Sequence, residues 1–188
     1  MPEELTDEQQ RTLLALAREA VKQTVGINPK PPLEPRDPKL KENRGVFVTL
    51  KVDGRLRGCI GHPLPVMPLD RAVAEVAAAA AGEDFRFEPL RAEELARLRV
   101  EISVLSLPVP VNNPRSVEVG RHGIIVSRGA NRGLLLPQVP VEYGWDREAF
   151  LRHGCLKAGL AEDDWRRGAR IEVFTAQVFS EEEGAQSA

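Results

Sequence analysis

Val46-Phe47-Val48-Thr49-Leu50-Lys51-Val52, Asp53-Gly54, and Arg55-Leu56-Arg57-Gly58-Cys59-Ile60-Gly61 read in order as a strand, a turn and a returning strand. The first run is rich in β-branched and apolar residues, and Asp-Gly is a strong two-residue hairpin turn, so Gly45 to Gly61 is expected to form a β-hairpin. Pro68 to Gly82 follows with helical spacing, with Asp70 near its start and Val73, Val76, Ala77 and Ala80 on one face. Ala92 to Leu98 reads as a short helical turn. Arg99 to Leu107 alternates as a strand with Val100, Ile102 and Val104 on one side.

The same plan recurs downstream. Val46-Phe47-Val48-Thr49 matches Ile124-Ile125-Val126-Ser127 at an offset of 78 (46 to 124), and the same offset sets Asp53 on Asn131 and Leu56 on Leu134. Asp70-Arg71 matches Asp146-Arg147 at 76 (70 to 146), and Arg99-Val100-Glu101-Ile102 matches Arg170-Ile171-Glu172-Val173 at 71 (99 to 170). The second hairpin is read as Gly123 to Ser127, a turn over Arg128 to Gly133 and a return over Leu134 to Val139. A helix over Trp145 to Gly159 and a final strand over Arg170 to Phe179 complete it. A lone hairpin and helix bury an apolar face poorly, so two copies sharing a core are expected. The expected fold is α+β: duplicated hairpin, helix and strand units in a largely antiparallel, barrel-like sheet flanked by helices. It is one domain over 1–188 with interlocked halves at about 40–110 and 118–180. A cleft between such halves is a natural place for a small ligand.

Ahead of the first hairpin, Thr6 to Val25 reads as a helix, with Thr6 as its cap and Leu13, Leu14, Leu16, Ala17, Ala20 and Val21 as its stripe; Gly26 ends it. The proline-rich stretch Asn28 to Pro38 is expected to be an extended strap, and the acidic tail from Glu181 to be frayed.

Bulk properties narrow the class. In 188 residues, 42% are hydrophobic and 29% charged, which suits a folded domain rather than a disordered one. No apolar run approaches the ~20 residues of a membrane span, and Met1 to Gln10 is acidic and polar, unlike a signal peptide. Two cysteines, Cys59 and Cys155, suit a reducing compartment, so the cytoplasm is expected. With His62, His122 and His153 they form a pool without metal-site spacing, and no metal is expected. A net charge of −2 argues against nucleic acid as the main partner.

Leu56-Arg57-Gly58-Cys59-Ile60-Gly61-His62 is the least ordinary segment. Gly58 and Gly61 bracket Cys59-Ile60 where a bulge or a close backbone approach is expected, and such a bend exposes N–H groups that suit an anion. Arg57 beside it suits a carboxylate or phosphate. If the chain turns at Gly61, His62 approaches Cys59, and a thiol with an imidazole base is the minimum for nucleophilic catalysis. The competing reading is a packed cysteine with glycines for tight geometry.

Leu56 to Gly61 resembles the signature hexapeptide of the AMMECR family. Phe47-Val48-Thr49-Leu50, Glu101 to Leu105, His122 to Val126, Gly133 to Val139, Trp145-Asp146 and Cys155 to Leu160 resemble further family blocks in the same order. One departure is visible: Asp84-Phe85-Arg86-Phe87 stands where the family commonly has Asp-Pro-Arg-Phe. The resemblance implies an α+β fold with a duplicated unit. It implies no particular reaction or cofactor, and association with a Memo-type protein and a radical-SAM protein. This chain itself has too few cysteines for the cluster of a radical-SAM enzyme.

Two functional readings stand. In the first, the chain is an enzyme or enzyme subunit: Cys59 is nucleophile or redox thiol, His62 or His122 its base, and Arg57 with Gly58 and Gly61 an anion site. In the second, the same segment is the docking surface of a non-catalytic module for a small ligand or protein. Arg128 and Arg132, flanking the second turn, are additional candidates for an anionic ligand.

Overall fold

The computed structural model describes residues 4–27 and 34–181. The strap reading for residues 28–33 and the frayed tail beyond residue 181 lie outside the described residues. The chain divides into two compact units, one running to Leu105 and resuming at Gln177, the other Ser106–Ala176.

In the first unit, helix α1 (Asp7–Thr24) starts at a capping box. Thr6 Oγ1 accepts from Gln9 N–H at 3.4 Å, and Gln9 Oε1 accepts from Thr6 N–H at 2.9 Å. Its Leu13, Leu14, Leu16, Ala17 and Val21 stripe is buried, and Gly26 at φ 78° follows its last turn. Strands β1 (Val46–Val52) and β2 (Arg55–His62) join through Asp53-Gly54, both at positive φ (51° and 75°), as a tight hairpin with the strands' own twist requires. Helix α2 (Leu69–Gly82) buries Ala72, Val73, Val76, Ala77 and Ala80, and strand β3 (Leu98–Leu105) buries Val100, Ile102 and Val104. Asp70, near the start of α2, is buried and pairs with Lys41.

In the second unit, strands β4 (Val109–Pro110), β5 (Gly123–Arg128), β6 (Asn131–Leu135) and β7 (Arg170–Phe174) accompany helices α3 (Gln138–Glu142) and α4 (Arg147–Lys157). Asp146 caps α4, its Oδ1 accepting from Ala149 N–H at 2.8 Å. Phe150, Leu151 and Cys155 pack with Val117, Ile124, Val126 and Ile171 into the unit's own core. The last strand, β8 (Ala176–Ser180), returns to the first unit's sheet.

The sheets have the orders β2-β1-β3-β8 and β4-β7-β5-β6. Hairpin return, hairpin start and third strand therefore neighbour one another in the same order in both, as the repeat predicts. The strand after β3 pairs with β7, and the strand after β7 pairs with β3, so each fourth strand sits in the other repeat's sheet. The α+β, largely antiparallel class holds; the described pairings form two four-stranded sheets, and a barrel-like closure is not among them.

Three boundaries differ from expectation. The second turn is the two residues Gly129-Ala130, with Arg128 opposite Asn131, so Asp53 corresponds to Gly129 and not to Asn131, and Leu56 does not fall on Leu134. The return strand ends at Leu135, and α3 occupies the place read as its continuation. The strand expected over Arg170 to Phe179 breaks at Thr175, whose N–H donates to Ser106 Oγ at 2.9 Å.

Candidate functional site

The hairpin of the first unit explains its own glycines. A Cβ on Gly58 would stand 2.1 Å from the Ala80 carbonyl oxygen, so only glycine lets β2 approach the C-terminal end of α2. A Cβ on Gly61 would stand 2.1 Å from the ring of Phe47, its cross-strand partner. Both glycines serve close packing. The second unit repeats both devices: Gly133 lies under the end of α4, 2.4 Å from Ala158 N to a built Cβ, and Phe174 covers Gly123, its cross-strand partner.

The ladder slips between Leu50, opposite Gly58, and Lys51, opposite Leu56, which leaves Arg57 as the extra residue of a bulge. The bulge sends the Arg57 guanidinium to Glu94, donating from Nε at 2.8 Å and Nη2 at 3.0 Å, and to the carbonyls of Glu88 (2.6 Å) and Pro89 (3.2 Å). This hydrogen bonding holds the Glu94 carboxyl below its ordinary range. Arg57 is thus engaged in tying the 88–94 segment to β2.

Beyond the bulge, β2 runs unbroken through Gly61 to His62, and its residues alternate between faces. Gly58 and His62 face α2, where His62 Nε2 lies 3.0 Å from Glu75 Oε1. Cys59 faces the other way, opposite Thr49, whose hydroxyl donates to Sγ at 3.3 Å. The turn at Gly61 that would join Cys59 to His62 does not form, and the two side chains lie on opposite faces of the sheet.

β2 is an edge strand, so the outward N–H and C=O of Cys59 need partners. They find them in Asp84 and Arg86. Asp84 Oδ2 accepts from Cys59 N–H at 2.8 Å, and Arg86 Nη2 donates to the Cys59 carbonyl at 3.1 Å. The two side chains also hold each other: Arg86 Nε donates to Asp84 Oδ1 at 2.9 Å and Nη2 to Oδ2 at 2.7 Å. Asp84 is buried, yet the hydrogen bonding from Arg86 outweighs the burial and keeps its carboxyl well below the usual range, with the Cys59 N–H acting in the same direction. Arg86 is held charged first by Asp84 and, more weakly, by Cys59. Phe85, where the family commonly has proline, is 95% exposed, so the departure leaves the Asp84–Arg86 clasp intact.

The remaining candidates lie in the second unit. His122 Nδ1 accepts from Glu118 N–H at 3.1 Å, closing the turn before β5, and burial pushes its pKa down. Arg128 is committed to Asp164 (2.8 Å) and to the Arg167 carbonyl (2.6 Å). Arg132 is exposed on β6. His153 stacks on Trp145 with centroids 3.8 Å apart, and Cys155 is a core residue whose thiol pKa burial raises. No group of three or more His, Cys, Asp or Glu side chains that could hold a metal ion occurs among the described residues, and no described helix is long and apolar enough to cross a membrane.

The structure therefore surrounds Cys59 with Thr49, Asp84 and Arg86, none of which the sequence reading assigned to it. Counting back from the Asp53-Gly54 turn sets Thr49 opposite Gly58; only the bulge moves it to Cys59. Asp84 and Arg86 carried a signal in the family-like Asp-x-Arg-Phe segment, but nothing local aimed them at β2.

Known proteins share this architecture. A protein of Methanopyrus kandleri, MK0488, is 50% identical over 97% of this chain and 93% of its own length. One from Thermococcus gammatolerans is 48% identical over 95% and 93%. The crystal structure of the uncharacterized protein PH0010 from Pyrococcus horikoshii superposes with a TM-score of 0.78 at 43% identity, covering 95% of this chain and 94% of that one, and has the same fold. The AMMECR1 family model matches residues 14–179, which takes in the Cys59 hairpin, the whole second unit and most of the first; the chain belongs to the AMMECR1 family.

Proposed function

We propose that the chain acts as a binding module for a protein partner or small ligand, and that its docking surface is the face of the first sheet carrying Cys59. The observation behind this reading is that the groups a catalytic site would present are already engaged in holding β2. Arg57 is engaged by Glu94, Glu88 and Pro89, the Cys59 N–H by Asp84, and His62 by Glu75 on the far face. The polar groups acting on the Cys59 side chain are the Thr49 hydroxyl and the Arg86 guanidinium, neither of which is a base at neutral pH. What stays available is a half-buried, mixed face of Phe47, Thr49, Cys59, Glu101 and Ser103, framed by the Lys51–Glu101 ion pair at 2.9 Å. An amphipathic surface on a rigid strand suits recognition.

The partners that the family resemblance suggests, a Memo-type protein and a radical-SAM protein, are the probes to use. Each is immobilised and titrated with wild type, Thr49→Arg and Cys59→Ser. Thr49→Arg places a long cation at the centre of the face and is expected to weaken binding about tenfold or more, whereas Cys59→Ser leaves it little changed. Unweakened binding by Thr49→Arg refutes the assigned face. Loss of a measurable turnover by Cys59→Ser with folding and binding intact replaces this reading with the catalytic one, in which the Arg86 guanidinium and Thr49 hydroxyl stabilise charge on the sulfur.

A further inference from the structure

The second sheet carries a row of donors that the Cys59 site does not use. Ser127, on the central strand β5, stands opposite Arg132 of β6 on one side and Arg170 of β7 on the other. Directly opposed residues share a sheet face at about 5 Å spacing, so a hydroxyl lies between two arginines whose backbones are roughly 10 Å apart. Arg132 is exposed and Ser127 half-buried, and neither side chain has a hydrogen bond or ion pair among the described residues. Arg170 is oriented by one contact, Nη2 to Glu172 Oε1 at 3.0 Å, with side-chain exposures of 62% and 14%. The rest of its guanidinium has no protein acceptor among the described residues. Arg128, one residue along β5, differs: it is committed to Asp164 and the Arg167 carbonyl.

Two arginines flanking one neutral residue leave positive charge that Glu172 offsets only in part. Three donor groups, two forks and a hydroxyl, lie side by side on one face of three adjacent strands. A tetrahedral phosphate can give each of the three groups an oxygen of its own, whereas a carboxylate has only two oxygens to share among them. We infer that Arg132, Ser127 and Arg170 form a binding site for a phosphate group. The site lies on a different sheet from Cys59 and stands independently of the binding-module reading.

The test is a titration of the full chain with inorganic phosphate at constant ionic strength, followed by amide chemical shifts. Saturable shifts centred on 127, 132 and 170 are expected, with a Kd on the order of 1 mM for so open a site. Arg132→Ala and Arg170→Gln each weaken binding about tenfold, the loss of one charge-assisted pair. Arg166→Ala, which removes a cation of the same unit paired instead with Glu148, leaves it unchanged. Circular dichroism verifies folding, and Arg132→Ala, which removes no hydrogen bond or ion pair among the described residues, remains decisive if Arg170→Gln is unstable. Shifts that do not saturate, or saturation unaltered in Arg132→Ala, overturn the assignment. A parallel titration with a phosphoserine peptide separates the sources: tighter binding than inorganic phosphate identifies a phosphorylated macromolecule, and equal binding a free phosphate.

Discussion

Replacing Asp84 by asparagine tests whether the Asp84–Arg86 clasp holds the edge of the first sheet. Asp84 has 3% side-chain exposure and Arg86 46%. Breaking a fully buried pair costs about 3–5 kcal/mol and a surface pair about 0–1, so this half-screened pair is expected to contribute about 2 kcal/mol. Asparagine keeps an acceptor for the Cys59 N–H but loses the charge. Asp84→Ala loses both, adding about 1 kcal/mol for the unpaired amide. For a chain of this size, about 2 kcal/mol lowers Tm by roughly 4–8 °C. The pH dependence has a definite sign. The carboxyl's pKa is depressed in the folded state, so its stabilisation is fully present above the unfolded pKa of about 4 and is lost as pH falls from there toward the folded value. The gap between wild type and Asp84→Asn should therefore narrow by about 1.4 kcal/mol per pH unit below ~4. Thermal melts at pH 7 and pH 3 measure it, and hydrogen exchange at the Cys59 amide localises it. A Tm for Asp84→Asn within about 1 °C of wild type at pH 7, or a gap just as wide at pH 3, would refute the reasoning.

Two further outcomes follow from the packing. Gly58→Ala drives a methyl into the Ala80 carbonyl oxygen, 2.1 Å from the built Cβ, so β2 and the end of α2 must separate; a loss of about 3 kcal/mol in urea denaturation is expected, and a change under about 0.5 would exclude the close approach as the reason for the glycine. The thiols should differ sharply: in native protein at neutral pH the half-exposed Cys59 takes up one equivalent of iodoacetamide, while Cys155, buried with a raised pKa, reacts only in denaturant, and native labelling of Cys155 would contradict its place in the core.

The candidate site was only partly legible. The segment was conspicuous because two glycines in a strand demand a reason, and Gly58 and Gly61 each have one in a contact less than 3 Å from a built Cβ. The pairing of Cys59 with His62 was not legible, since three residues apart means neighbours across a turn but opposite faces along a strand, and β2 does not turn. Arg57 was read as free to bind an anion, yet the bulge that makes it conspicuous also aims it at Glu94.

What the sequence determined by itself is what short-range chemistry governs. The Thr6–Gln9 capping box, the positive-φ turn at Asp53-Gly54, the apolar stripes of α1 and α2 and the order of the repeated elements follow from residues within a few positions of one another. The tertiary structure decided register and partnership. Matching by sequence sets Thr49 on Ser127, yet the ladders give Ser127 the place of Lys51: Lys51 stands opposite Leu56 and Arg99 as Ser127 stands opposite Arg132 and Arg170. The segment after Thr175 leaves one sheet for the other, and Asp84 reaches across 25 residues to the Cys59 amide. A strand's alternation fixes which side chains share a face, but not which strand lies beside it or at what offset; bulges and long-range hydrogen bonds settle those, and both act between residues far apart in the chain.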